Sequence, residues 1–281
     1  MIWRLKILAK LVLSNLPIPY RIRNRLGLLR HGFMDDPDYI IRVFENHKNI
    51  CFPDGLPDDF SVLELGPGDS LASMLIARAY GAKTVWLIDA GHFAHDDVDF
   101  YKRMAHALHM KNKNVPLLDD CTTIEDALKT CNATYLTNGL SDLQSIPDDS
   151  VDFIWSQAVL EHVARDEFNA TQAELKRILK PGGATSHVID FQDHLAHALN
   201  NLRFPEKVWE SAAFKKSGFY TNRILASETL DRFRQSGFSD VDVVKTVKWD
   251  GIPTPKAVFA EQFQNLPDQD FVTKGITVRA H

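Results

Sequence analysis

Near the start of the chain Ile2, Leu5, Leu8, Ala9, Val12, Leu13 and Leu16 recur at helical spacing, with Lys6, Lys10 and Ser14 opposite them. That pattern predicts an amphipathic helix, which Pro17 and Pro19 end. From Ser61 onward the period changes. Short β-rich runs at 61–65, 83–89, 134–137, 151–156 and 184–190 predict five strands. Helical patterns fall between them at 70–79, 97–110 and 161–179, the last stopped by Pro181-Gly182-Gly183. Strands alternating with helices imply a parallel sheet covered on both faces. After a helix at 227–236, "DVDVVKTV" and "GITVRA" read as two strands with no comparable helix between them, so the final pair is expected to be antiparallel. No internal repeat or low-complexity stretch interrupts the series.

The composition changes this picture little: 281 residues, 44% hydrophobic and 25% charged, suit an ordinary globular chain. Charge changes it more. Residues 1–34 hold seven Lys or Arg and no acid, so the net −5 of the chain becomes −12 for the remainder (25 basic against 37 acidic). That balance argues against nucleic-acid binding. The first segment has the basic start of a secretory signal, but Lys10 interrupts its apolar stretch and no small-residue cleavage site follows. Two readings of its helix stand: a cover packed on the main domain, or a weak contact with a membrane surface. The cover is favoured, because Ile7 and Leu11 blur the polar face that an interfacial helix needs. Three cysteines without a CxxC pair, and no apolar run of ~20 residues, point to a cytoplasmic protein.

The sharpest chemical signal is Leu63-Glu64-Leu65-Gly66-Pro67-Gly68-Asp69-Ser70, at the join of first strand and first helix. Glycines there permit a tight turn and close approach of a ligand to the backbone. Asp89 closes the second strand about 20 residues on, where a carboxylate can accept hydrogen bonds from both hydroxyls of a ribose. A dinucleotide would want a third glycine where Leu71 stands, and its pyrophosphate would meet Glu64, Asp69 and Asp89. S-adenosylmethionine carries a sulfonium and an ammonium instead, which acidic surroundings favour.

With "VLELGPGDS", "VWLIDA", "SIPDDSVDFIWSQAVLEHV" and "LKPGGA" in this order, residues 61–184 resemble the class I S-adenosylmethionine-dependent methyltransferases. The resemblance implies an α/β fold: a seven-stranded, mostly parallel, doubly wound sheet with an antiparallel last strand. To this the chain adds an N-terminal helical extension over 1–58, with the methyltransferase domain over 59–281 and an acceptor-side insertion at about 191–226. In the family, residues matching Glu64, Gly66 and Gly68 form the methionine end of the pocket and that matching Asp89 holds the ribose. Asp69 and Ser70 complete the loop. The family's adenine-contacting acid aligns nearest Leu140, with Asp142 two residues away as the candidate. The segment starting at Ser156 and Gln157 is expected beside the donor methyl. Some related enzymes place a metal at the following Glu-His pair, here Glu161-His162, with another glutamate just before it. Gln157 and Ala158 stand there instead, and no metal is expected.

Ligands of open α/β sheets bind outside the carboxyl ends of the strands, so Asp190, Asp193 and His194 are expected to face the acceptor. An Asp beside a His can orient the imidazole, which makes His194 with Asp193 the first candidate base and His162 the second. His187, in mid-strand, reads as structural. The insertion mixes Arg203, Phe204, Trp209, Tyr220, Asn222 and Arg223, residues that can line a sugar site or simply pack on the sheet. Asp190, Arg203, Tyr220, Asn222 and Arg223 are the candidate acceptor ligands. The expected activity is O-methylation of a small or glycosyl acceptor, by analogy a sugar of surface-polysaccharide assembly. The alternatives are a non-catalytic binding or scaffold module of the same fold and a nicotinamide-dependent oxidoreductase. Intact Glu64, Gly66, Gly68 and Asp89 oppose the first; Leu71 and the acidic pocket oppose the second.

Overall fold

The computed structural model describes Ile7 and residues 35–281. The expected N-terminal helix therefore lies outside the described residues except at Ile7, which is helical and buried with Leu195, Trp209, Phe219 and Tyr220. In chain order the elements are α1 (Pro37–Cys51), β1 (Ser61–Leu65), α2 (Ser73–Ala79), β2 (Thr84–Ile88), α3 (Val98–Met110), α4 (Ile124–Thr130), β3 (Ala133–Leu136), α5 (Leu140–Leu143), β4 (Val151–Gln157), α6 (Phe168–Ile178) and β5 (Leu179–Asp190). One-turn pieces follow at Asn200–Arg203, α7 (Glu206–Trp209) and α8 (Ala212–Lys215). The chain closes with α9 (Ala226–Gln235), β6 (Asp242–Lys248), a turn at Lys256–Val258, α10 (Glu261–Gln264), α11 (Asp268–Val272) and β7 (Thr273–Ala280).

The seven strands form one sheet in the order β3-β2-β1-β4-β5-β7-β6. β1 pairs in parallel with both β2 and β4, in registers that set Leu65 beside Ile88 on one side and Ser156 on the other. Ser150 N–H donates to Ile178 O and Ala158 N–H to Val188 O, so β5 advances in the same direction as β4. β7 runs the other way: Phe191 N–H donates to Lys274 O, while His281 at the far end reaches Gly183 O. The antiparallel last strand is thus present. All seven residues of β6, at the sheet edge, are exposed. Lys245 and Lys248 give this edge the charge that discourages pairing with another chain.

The described chain divides into two compact units. The first comprises residues 35–157, 173–187 and 279–281 and holds the apolar core around β1, β2 and β4. Within it α1 opens on Asp36, whose side chain accepts from Asp38 N–H, and on Pro37 in its first turn. Ile40, Val43, Phe44, His47 and Cys51 then recur every three or four residues and are buried. Phe44 meets Phe153 and Trp155 edge-on, at 5.9 and 6.3 Å between centroids. So α1, which the sequence places in the extension, contributes directly to the core.

The second unit comprises 158–172 and 188–278 with Ile7. Here the helix expected from residue 161 does not form; α6 begins only at Phe168. The reason is local. Ala158 sits at φ +56°, and Asn222 takes the carbonyls that a helix would use: its side-chain NH2 donates to Leu160 O (2.7 Å) and Val163 O (2.9 Å), and its backbone N–H to Glu161 O (2.7 Å). Those oxygens are satisfied from outside the segment, so helical pairing there gains nothing. The insertion folds around Trp209, which contacts Phe204, Phe214 and Phe219 and donates its indole N–H to Thr221 O. No helix among the described residues is long and apolar enough to cross a membrane.

Candidate functional site

In the first unit the chain leaves β1 through Gly66 and Gly68, at φ +75° and +66°, conformations that a side chain at Cβ would strain. Gly66 N–H donates to Ile88 O (2.7 Å), which ties the loop to the end of β2. There Asp89 accepts from Gly68 N–H with one carboxylate oxygen (3.0 Å) and from Ala90 N–H with the other (2.8 Å). Its backbone continues the tie to the third strand, with Asp89 N–H on Leu136 O and Gly139 N–H on Asp89 O. A carboxylate oxygen can accept more than one hydrogen bond, so a side chain oriented in this way by the loop suits a ligand hydroxyl.

Glu64 lies at the end of β1, 3% exposed, and accepts a hydrogen bond from Ser73 Oγ at the start of α2. Burial, reinforced by the nearby charge of Asp89, raises its carboxyl to about 8. Two carboxyl groups beside a glycine loop, one ionised and one held protonated by burial, form a site that an anion would destabilise and a cation would favour. S-adenosylmethionine fits this requirement, with Glu64, Gly66, Gly68 and Asp89 as the residues that would hold it. A pyrophosphate does not. Leu71, where a dinucleotide loop would have its third glycine, is buried in the core.

The other expected donor ligands are placed less directly. Ser70 is 1% exposed and its hydroxyl accepts from Ala72 N–H, closing the loop. Asp69 is nearly buried, and its carbonyl accepts from His95 N–H. Asp142 accepts from the backbone and side-chain amides of Asn138, holding the turn after β3. Ser156 departs from expectation: it is fully buried with its hydroxyl 2.7 Å from His187 Nδ1, so its side chain serves the sheet. Gln157, at the end of β4, is half-buried. Its Oε1 lies 3.1 Å from His47 Nε2 on α1, a partner that the sequence pattern of an apolar stripe conceals.

In the second unit the clearest catalytic geometry belongs to His162. Its Nδ1 lies 2.8 Å from Tyr220 O. A carbonyl only accepts, so Nδ1 carries a proton, and in the neutral ring the lone pair lies on Nε2. His194 stacks on this ring, with centroids 4.9 Å apart and planes at 19°. Asp193 does not orient His194 as expected. One of its oxygens accepts from Leu195 and Ala196 N–H and the other from the backbone and side chain of Asn200, so this carboxylate organises its own loop.

The five expected acceptor ligands are mostly occupied by the fold. Asp190 accepts from Gln192 N–H and its side-chain amide. Arg203 donates to Asn200 Oδ1. Tyr220 is 4% exposed and donates to Glu210. Asn222 clamps the segment after β4, as described above. Arg223 is buried over the rings of Trp209 and Phe263, donates to Phe204 O and pairs with Glu210 at 3.5 Å. Burial lowers its guanidinium to about 10. The bonds of Tyr220, Asn222 and Arg223 share one cause: an irregular segment needs side-chain partners for its backbone, and polar residues supply them. Glu161 is buried, and burial raises its carboxyl well above the usual range.

A methyltransferase-domain family matches residues 63–186, the stretch from β1 into β5. No curated protein matches the chain. Similar solved structures include the methyltransferase complexed with the Haloferax volcanii Trm112 methyltransferase activator, at 17% identity over 87% of this chain and 92% of that one, TM-score 0.43. A methyltransferase from Methanosarcina mazei is 18% identical over 85% and 95% of the two chains, TM-score 0.46. Phosphoethanolamine N-methyltransferase 2 of Haemonchus contortus is 13% identical over 86% of this chain but 52% of its own, TM-score 0.46, so this chain spans about half its length. The acidic glycine loop suits a positively charged methyl donor, and the family match begins on that loop's own strand: residues 63–186 match a methyltransferase domain, in line with the resemblance to the class I S-adenosylmethionine-dependent methyltransferases.

Proposed function

We propose that the protein methylates an oxygen of a small or glycosyl acceptor, with His162 as the base that takes the hydroxyl proton. When bound, S-adenosylmethionine supplies an electrophilic methyl group on sulfur. The observation that carries the reading is the hydrogen bond from His162 Nδ1 to Tyr220 O, which fixes the tautomer with its lone pair on Nε2. A hydroxyl needs such a base because it must lose its proton as the oxygen bonds to carbon. Tyr220 is itself held by Glu210, so the imidazole is oriented by a buried, bonded support.

Three cysteines, all free and buried, support a reducing cytoplasm as the setting. A sugar of surface-polysaccharide assembly is the acceptor class we favour, and the basic residues of the N-terminal segment would favour its anionic or lipid-linked forms. The test is transfer of labelled methyl from S-adenosylmethionine to a panel of glycosides and small alcohols. Product on a hydroxyl, lost in His162→Ala with donor affinity kept, supports the reading. Donor binding without transfer to any acceptor in the panel favours the scaffold alternative. Transfer only to amines refutes the oxygen assignment.

A further inference from the structure

We propose that His47 is a positioning residue of the methyl-donor site: its imidazole holds the oxygen of the Gln157 carboxamide and leaves the amide NH2 to a ligand of the glycine loop. His47 lies on α1, outside the residues that match the methyltransferase family. It occupies the centre of that helix's buried stripe, 1% exposed, between Phe44 and Cys51. A leucine or phenylalanine would serve packing there without a polar group to satisfy. The imidazole is instead satisfied on both sides, with Nε2 3.1 Å from Gln157 Oε1 and Nδ1 2.9 Å from Ser186 Oγ.

These contacts determine the protons. The amide oxygen only accepts, so Nε2–H donates to it; Nδ1 then holds a lone pair and accepts from the Ser186 hydroxyl. Burial lowers the imidazole to about 4, and it is neutral at physiological pH, as this arrangement requires. His187, similarly lowered to about 3, stands beside it on β5 and bonds Ser156 and Thr185. Trp155, 5.1 Å from His47 between ring centroids, packs against the imidazole. With its oxygen held, the Gln157 amide cannot turn over without placing NH2 against an N–H. The register of β1 and β4 sets Leu65 beside Ser156, so Gln157 follows alongside Gly66. Its two N–H donors suit an acceptor group, and the carboxylate of the methionine moiety is the charged acceptor that the donor offers.

This inference rests on the glycine loop being the donor site and is independent of the acceptor. The test uses the full chain, with S-adenosylhomocysteine binding followed by calorimetry and the imidazole tautomer by nitrogen-15 NMR. Nε2–H with an unprotonated Nδ1 is expected; the opposite tautomer overturns the proposal. His47→Leu and Gln157→Leu should each weaken binding about tenfold, and the double variant no further, because one interaction acts through the other. His47→Asn, which can still donate to the carboxamide, should recover part of the loss and also covers the case in which His47→Leu does not fold. Independent, additive losses, or unchanged affinity in either folded single variant, overturn the positioning role. Failure of the wild-type protein to bind S-adenosylhomocysteine would instead remove the donor site itself.

Discussion

Protonation of Glu64 should govern the pH range over which the methyl donor binds. Its carboxyl is enclosed beside Asp89 and raised to about 8, so in the ligand-free protein it is mostly protonated near neutrality. A cation at the loop favours the ionised form. Binding therefore releases a proton wherever the pH lies between the value of the carboxyl in the complex and its free-state value. If the complex returns Glu64 to an ordinary carboxylate range, the ionised fraction of the free protein rises from about 1% near pH 6 to about half near pH 8, and the apparent Kd tightens about 50-fold, or ~2.3 kcal/mol. Calorimetry in buffers of different ionisation enthalpy counts the protons directly, and Glu64→Gln separates this group from titration of the ligand's own amine. About one proton per ligand near pH 6.5 is expected in the wild type and none from this group in Glu64→Gln. Equal proton counts and equal pH slopes in the two proteins would refute the reasoning. The same raised value has a stability consequence with a fixed sign. The contribution is complete below the unfolded carboxyl value of 4.5 and is lost as pH rises through about 8, so the ligand-free protein should melt lower at alkaline than at mildly acidic pH.

The donor site is further tested by Asp89→Asn, which should weaken S-adenosylmethionine binding by ~1.5–3 kcal/mol through the loss of a charged acceptor, with circular dichroism unchanged. On the acceptor side, His162→Ala should lower kcat about 100-fold or more at unchanged donor Kd, whereas His194→Ala, which removes the ring stacked on it, should cost kcat less. Reversal of that order in steady-state kinetics would return the base to His194. Trp209→Ala should destabilise the insertion by ~3–5 kcal/mol in denaturant titrations, since it empties the centre of a buried aromatic cluster and leaves Thr221 O without its donor.

Strand positions were legible because β-rich runs recur at regular intervals, and the predicted bounds of the first four differ from the observed strands by one residue or none. The glycine loop and Asp89 were legible because both answer to local backbone needs that a few residue types satisfy. α1 was not resolved as part of the core, since its buried stripe contains His47 and its mean character is polar. The helix expected over 161–167 failed for a reason that no local pattern encodes: Asn222, some 60 residues later, claims the carbonyls of 160, 161 and 163. β5 starts earlier than expected for a related reason. Pro181-Gly182-Gly183 reads as a helix stop followed by a turn, yet the strand runs through it, with Gly182 at φ +81°.

Candidate ligands in the insertion were the least legible part, and the physical cause is general. Between β5 and α9 the chain has only one-turn helices, so many of its N–H and C=O groups lack a periodic partner. Asp193, Asn222 and Arg223 meet that need, each bonding main-chain atoms, and Tyr220 braces the same segment through Glu210. A cluster of polar side chains in a loop-rich segment is therefore first an account of how the loop holds its shape. What separates His162 from these residues is the direction of its bond. It donates one proton to the backbone, and in the neutral ring the lone pair lies on the opposite nitrogen, which is the form the proposed base requires. Asp193, in contrast, has both oxygens turned to its own loop, and orientation of a neighbouring imidazole would require it to surrender bonds that hold residues 193–200 together.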